Sequence, residues 1–243
     1  MDEIALLFEP LEVRGRCLPN RIVMPPMVAN RGIDTPEGIA WYGEHARGGP
    51  GLVIVEATSV SGFGDRYSAD GLRPLVSAIQ EGGALAAIQL FPGTRGQRIT
   101  PGEMERSAIQ GLIDAYAGAS RICAAAGCDG VEVHGAHGFL LNQYFSPAQN
   151  TRTDAYGATL NGRMLLAVQI VRAIRSVLPS DRLLLYRHTP VGPGYGIEES
   201  LTLAEALIDA GVDILDLSPS SIDAPGDRSA PFRILGVPVI AVN

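Results

Sequence analysis

Two histidines, His134 and His137, stand three residues apart in the segment V-E-V-H-G-A-H-G-F-L-L-N-Q, where a short apolar run gives way to glycine. Imidazoles at this spacing on a strand-to-loop turn can aim two donors at one oxygen atom, or ligate a metal. A metal asks for a carboxylate or a third imidazole close by. Glu132 falls on the same side of the strand as His134, at a depth the alternation does not fix, and nothing places His45 or His188 beside the pair. Oxygen binding is therefore favoured over a metal site, with a structural role for one member as the competing reading. The three cysteines, Cys17, Cys123 and Cys128, include no CxxC pair. A disulfide framework and a cysteine zinc site are both disfavoured, a reducing cytoplasmic setting is the default, and Cys123 and Cys128 read as packing residues of an Ala-rich helix. Asp213 and Asp216 read as turn and strand-end residues rather than a general acid–base pair. The acidic stretch Asp223–Asp227 reads as a solvated turn.

Positioning the two histidines falls to a recurring pattern of short and long segments. Apolar runs at Arg21–Met24, Leu52–Glu56, Leu85–Leu90, Gly130–Val133, Leu183–Tyr186, Ile214–Leu217 and Val237–Val242 lack clean polar alternation. Such runs are buried on both faces, as in a parallel sheet covered by helices. Helices are predicted over Glu103–Ala126, Leu160–Val177 and Glu198–Ala210, the last opened by acids and closed by Gly211. Trp41 and Tyr42 belong to an earlier helix and are expected to face the core. An A-G-x-D exit turn occurs at Gly127–Asp129 and again at Gly211–Asp213, placing two strands in the same role. Strand–helix alternation without a break predicts one α/β domain over residues 1–243, a parallel (β/α) TIM-type barrel. A doubly wound open sheet is the competitor, but no strand is followed by a GxGxxG turn. Seven strands are found, and the eighth strand and helix of a full barrel are missing.

Composition bounds the partners. The 243 residues carry 26 acids against 19 bases, a formal charge of −7, and 46% are hydrophobic. An acidic globular chain without basic clusters is unsuited to nucleic acid or anionic membrane surfaces. The opening MDEIALLFEP has acids where a signal peptide needs bases, and no apolar stretch reaches the length of a membrane span. A small-molecule substrate is the expected partner.

The segment A-G-C-D-G-V-E-V-H-G-A-H-G-F-L-L-N-Q-Y-F-S-P-A-Q-N-T-R-T-D-A-Y-G resembles the central signature of the old yellow enzyme family of flavin-dependent oxidoreductases. L-F-E-P-L, N-R-I-V-M-P-P-M and A-I-Q-L resemble further stretches of that family, and the resemblance runs from about Leu7 to the end of the chain. It implies FMN at the mouth of an eight-stranded barrel, NAD(P)H as reductant, and an activated alkene as acceptor. Position by position, Pro25, Pro26, Met27 and Ala57 would pack against and hydrogen-bond the flavin through backbone. Gln89 would meet its pyrimidine edge, and Arg187 would sit beside the N1/O2 edge, where reduction builds negative charge. The competing reading of Arg187 is a surface ion pair. His134 and His137 match the pair that holds a substrate carbonyl, nitro or phenolate oxygen. Asn150, Arg152, Asp154, Tyr156 and Gly157 would pin the loop that follows. Tyr67 and Asp65, in a loop after the second strand, are secondary substrate candidates.

The departures carry as much information. Phe139 stands where the family usually has a proton-donating tyrosine, so net reduction needs another donor, Tyr195 or water. Pro92 replaces a histidine, Arg95 is kept, and Val28 replaces a cysteine found in some members. In phosphate-binding barrels of this kind the loops after strands seven and eight hold the phosphate. This sequence stops where that half of the site would begin, so a trimmed or incomplete barrel with weakened FMN binding is expected. Exposed edge strands then invite self-association into a homo-oligomer. An ene-reductase leads the readings. Behind it stand a flavin-assisted isomerase, suggested by Phe139, a degenerate non-catalytic barrel, and last a metal-dependent lyase.

Overall fold

The computed structural model describes residues 3–93, 99–219 and 227–242. Arg95 and Asp223 lie outside the described residues. The helices are α1 (Glu3–Leu6), α2 (Pro36–Arg47), α3 (Ala69–Glu81), α4 (Arg106–Ala126), α5 (Leu140–Phe145), α6 (Leu160–Arg175) and α7 (Ile197–Ala210). A hairpin, β1 (Leu11–Val13) and β2 (Arg16–Leu18), precedes seven strands: β3 (Val23–Met24), β4 (Leu52–Ser59), β5 (Leu85–Phe91), β6 (Gly130–Gly135), β7 (Leu183–His188), β8 (Ile214–Leu217) and β9 (Val239–Ala241). These seven form one sheet whose spatial order, β3 to β9, is the chain order, and the pairs at both ends of it run parallel. All seven expected strands are present, and this is the topology of a (β/α) barrel.

Several boundaries differ from expectation for physical reasons. The hairpin, absent from the sequence reading, turns through Arg14 and Gly15, both at positive φ (49° and 74°). That is the two-residue hairpin loop whose twist suits antiparallel strands. Strand β4 does not end at Glu56 but runs to Ser59. Its pairing with β5 shifts register between Val55 and Thr58, so Ala57 sits in a bulge rather than at a terminus. A bulge bends the strand and leaves backbone groups outside the ladder. Helix α4 begins at Arg106, after a short 3-10 turn at Pro101–Glu103 capped by Thr100. Tyr42 is buried as expected, whereas Trp41 is only half-buried and stacks on His45 (centroids 4.0 Å apart).

The chain clusters into two compact units. The first comprises Met1–Phe91, Gly118–Glu132 and Val177–Leu183; the second comprises Pro92–Ala117, Val133–Ser176 and Leu184–Asn243. In the first, β4 and β5 supply a dry core of Leu52, Val53, Ile54, Val55, Ala87 and Ile88, over which α3 lays Leu72, Leu75 and Ile79. In the second, β7 contributes Leu184, Leu185 and Tyr186, and α6 and α7 pack together, joined by Arg163 to Glu199 (2.9 Å).

The repeated A-G-x-D turn performs the same task in each unit. In the first, the Asp129 carboxylate accepts from Ala86 N–H (2.9 Å), Gln80 Nε2 (2.9 Å) and Arg16 Nη1 (3.0 Å). In the second, Asp213 accepts from Leu184 N–H (2.8 Å) and Arg175 Nη2 (2.7 Å). Each aspartate thus satisfies the second backbone N–H of a strand and anchors an arginine. The glycine before it takes positive φ, 96° at Gly127 and 117° at Gly211, a region that L side chains avoid.

Candidate active site

The second unit assembles the histidine pair. His134 lies on β6, which continues to Gly135, two residues beyond the expected end at Val133. Gly135 is required there, because a Cβ would fall 2.1 Å from the Tyr186 hydroxyl. His137 follows at a φ of 59°, a left-handed conformation costly for a residue with a side chain. Its N–H is received by Thr189 Oγ1 (3.0 Å), which in turn donates to the Ser218 carbonyl (3.1 Å). The two imidazoles meet edge to face, with centroids 5.4 Å apart.

Both rings are held neutral. Burial, then the nearby His137 and Arg187, push the His134 pKa down from 6.5 to about 3. Burial, then Arg187, push His137 down to about 4. A neutral imidazole offers one N–H donor and one acceptor nitrogen. His134 Nδ1 accepts from Ala136 N–H (3.2 Å), so its proton resides on Nε2. His137 Nε2 contacts Ser218 Oγ (2.9 Å). Neutral rings keep an N–H to donate and bring no second charge beside Arg187.

Arg187 stands on β7 opposite Asp216 of β8 in the parallel register. Its Nη2 donates to Ser218 Oγ (3.0 Å) and its Nε lies 3.4 Å from Asp216 Oδ2, with the two side chains 6% and 0% exposed. The competing reading of a surface ion pair is not met: the pair is buried, and Arg187 shares Ser218 with His137. Asp216 lies within β8, next to its last residue, and is the buried counter-ion of that arginine. Phe139 is exposed, with its ring edge-on to His134 at 5.3 Å. Tyr195 is buried, receiving Asn142 Nδ2 (2.7 Å) and donating to the Thr189 carbonyl (3.1 Å). Its hydroxyl is thereby engaged inside the loop. The fingerprint after β6 is a structural knot: Asn150 Nδ2 reaches the Tyr144 and Tyr156 carbonyls, and Arg152 chelates Asp154 while capping Pro101 and Met104 carbonyls.

The first unit carries the remaining candidates. Pro25 and Pro26 follow β3, with Pro26 buried, and then Met27 and Val28 turn outward, 61% and 42% exposed. Glu56 Oε2 accepts the Ala29 N–H (2.5 Å) and Glu56 N–H donates to the Tyr42 hydroxyl, so the bulge on β4 fixes the chain after Val28. Gln89 is buried and donates its Nε2 to Glu132 Oε1 (2.7 Å). With its amide nitrogen committed to a carboxylate, Gln89 presents its oxygen, an acceptor. Tyr67 stacks near Phe63 and under Arg66, which pairs with Asp34.

Each unit carries groups of a kind that suits part of a flavin ring. In the first, the exposed Met27 and Val28 are apolar and Gln89 has an amide oxygen able to accept from an imide N–H. In the second, the buried Arg187 guanidinium suits an edge that gains negative charge. Sequence reasoning named those residues but missed Ser218 and Thr189 as the links between Arg187 and His137. The only available signal was a serine ending a buried run. Among the described residues no group of three or more His, Cys, Asp or Glu could hold a metal ion, and no helix is long and apolar enough to cross a membrane.

Comparison with known proteins gives the same direction. The model of the NADH:flavin oxidoreductase / NADH oxidase family matches residues 6–99 and 94–230. An NADPH dehydrogenase of Clostridium acetobutylicum is 31% identical over 252 residues, covering 89% of this chain and 74% of that protein. Among solved structures, an old yellow enzyme homologue from Zymomonas mobilis superposes with a TM-score of 0.79 at 21% identity, over 98% of this chain and 82% of that one. A 2-naphthoyl-CoA reductase superposes at 0.83 and 21% identity, over 96% of this chain but 46% of that longer one. The two structural likenesses establish the (β/α) TIM-barrel fold. The chain belongs to the NADH:flavin oxidoreductase / NADH oxidase family, that of the old yellow enzymes, and is an oxidoreductase with FMN as cofactor and NAD(P)H as reductant.

Proposed function

We propose that this oxidoreductase reduces an activated alkene in a small molecule such as an α,β-unsaturated carbonyl compound. The observation that carries the reading is the neutral pair His134 and His137, held beside Arg187 with both imidazole pKa values far below 6.5. Each ring keeps one N–H to donate to the carbonyl oxygen. Donation there withdraws electrons from the conjugated bond and makes its β-carbon electrophilic, worth on the order of 3 kcal/mol of barrier per donor. FMN, when bound, supplies the two-electron transfer from reduced nicotinamide to that carbon. Resemblance to the family motifs supports Pro25, Pro26, Met27, Ala57 and Gln89 as its contacts and Arg187 at its electron-rich edge. The α-carbon takes its proton from water, because Phe139 has none to give and the Tyr195 hydroxyl is engaged with Asn142 and Thr189.

Phe139 also supports a second reading, a flavin-assisted isomerase in which the proton is returned elsewhere on the same molecule. One experiment separates them. The protein is titrated with FMN by absorbance, and the loaded form is assayed anaerobically for NADPH oxidation with 2-cyclohexen-1-one. Stoichiometric formation of cyclohexanone supports the reductase. Flavin uptake without cyclohexenone-dependent NADPH oxidation overturns it, and failure to take up FMN overturns both readings.

A further inference from the structure

We propose that Ser218 is a positioning residue that fixes His137 as the Nδ1–H tautomer, opposite to the Nε2–H tautomer of His134. Ser218 Oγ receives Arg187 Nη2 (3.0 Å) and lies 2.9 Å from His137 Nε2. A hydroxyl has a single proton to give. Ser218 is buried, and among the described residues the acceptor within reach of that proton is His137 Nε2. If Nε2 carried the ring proton instead, the serine would accept twice and its own buried proton would have no recipient, a costly arrangement. Arg187 cannot accept, so the direction of donation runs from Arg187 through Ser218 to His137, and the imidazole proton is left on Nδ1. At His134 the order is reversed by the backbone, because Ala136 N–H occupies Nδ1 (3.2 Å).

The serine is itself held rigidly. Its N–H donates to the His188 carbonyl (2.9 Å), and its carbonyl receives Thr189 Oγ1 (3.1 Å). The same threonine oxygen receives the His137 N–H (3.0 Å), at the residue whose φ is 59°. Thr189 and Ser218 thus grip His137 at backbone and ring together. An orienting partner on one ring nitrogen decides which atom of a histidine does chemistry. The consequence for substrate rests on the alkene-reductase reading: the two histidines offer the oxygen different ring atoms, Nε2–H from one and Nδ1–H from the other.

The test is read first without substrate. Two-bond proton–nitrogen correlation spectra of the histidine rings at pH 7 are expected to show His137 protonated on Nδ1 and His134 on Nε2. Ser218→Ala should move His137 toward the Nε2–H form and leave His134 unchanged, while Ser218→Thr, which keeps a hydroxyl, should retain the original pattern. A wild-type His137 protonated on Nε2, or a tautomer insensitive to Ser218→Ala, overturns the proposal. In the loaded enzyme, Ser218→Ala should raise KM for 2-cyclohexen-1-one roughly fivefold, the loss of one ordinary hydrogen bond, with Ser218→Thr near wild type. A shifted tautomer with unchanged KM overturns the link to substrate. Absence of turnover in the wild type defeats the alkene reading alone, since the tautomer spectra do not depend on it.

Discussion

The three buried or partly buried imidazoles make the fold sensitive to mild acid, and the size of the effect follows from their burial. His188 lies under α7, its Nε2 against Ser200 Oγ (2.9 Å) and its ring edge-on to Phe145. Burial lowers its pKa from 6.5 to about 3, as burial, then the nearby His137 and Arg187, do for His134. A base whose pKa is depressed by folding binds protons more readily when unfolded, so stability is complete above pH 6.5 and is lost as pH falls toward the folded value. With 6.5 unfolded and about 3 folded, the loss between pH 7 and pH 5 is about 2 kcal/mol per histidine, or about 4 kcal/mol for the two. His137, only partly buried, adds less because water screens it. A fall of about 4 kcal/mol is a large share of the 5–15 kcal/mol that holds an ordinary domain folded.

Urea unfolding followed by circular dichroism at half-unit steps from pH 7.5 to 5 measures this directly. The midpoint should drop steeply below pH 6.5. His188→Asn removes one of the two titrations, so its fall between pH 7 and 5 should be about half that of the wild type, whatever its stability at pH 7. A midpoint that is flat across the range, or a fall undiminished in His188→Asn, would refute the reasoning.

Other perturbations reach other parts of the molecule. Arg187→Leu leaves the fully buried Asp216 carboxylate facing a leucine; it should cost about 3–5 kcal/mol in urea unfolding, most of it recovered in Arg187→Leu/Asp216→Leu. Asp129→Ala and Asp213→Ala each strip a strand N–H and an arginine of their shared acceptor, and each should lower stability by about 2–4 kcal/mol; a change below 0.5 kcal/mol by the same denaturation assay would deny the turns their anchoring role. Phe139→Tyr returns a hydroxyl beside His134 and should raise net cyclohexenone reduction severalfold if protonation limits turnover; a product that shifts from isomer to reduced ketone would favour the second reading, and an unchanged product would count against it.

What could be read from the chain without coordinates divides along a physical line. The seven strands were legible because a strand covered on both faces must be apolar at consecutive positions, as in Leu183–Tyr186. The paired A-G-x-D turns were legible because positive φ demands glycine and a strand start demands an acceptor, two local requirements that write themselves into adjacent residues. The hairpin at Leu11–Leu18 was missed because its strands are three residues long, below the length at which alternation speaks. Ala57 was misplaced because a bulge depends on the neighbouring strand. The site divides in the same manner. His134 and His137 are close in the chain and declare themselves, while the partner that orders His137 is 81 residues away. Nothing local distinguishes Ser218 from any serine that ends a strand, nor Tyr195, whose hydroxyl was eligible as a proton donor until its engagement with Asn142 and Thr189 was known. Residue type announces which chemistry a side chain is capable of. Which of its atoms is left to perform that chemistry is settled by hydrogen bonds between distant segments, and at His137 the choice between Nδ1 and Nε2 passes to a hydroxyl that only folding brings within 2.9 Å.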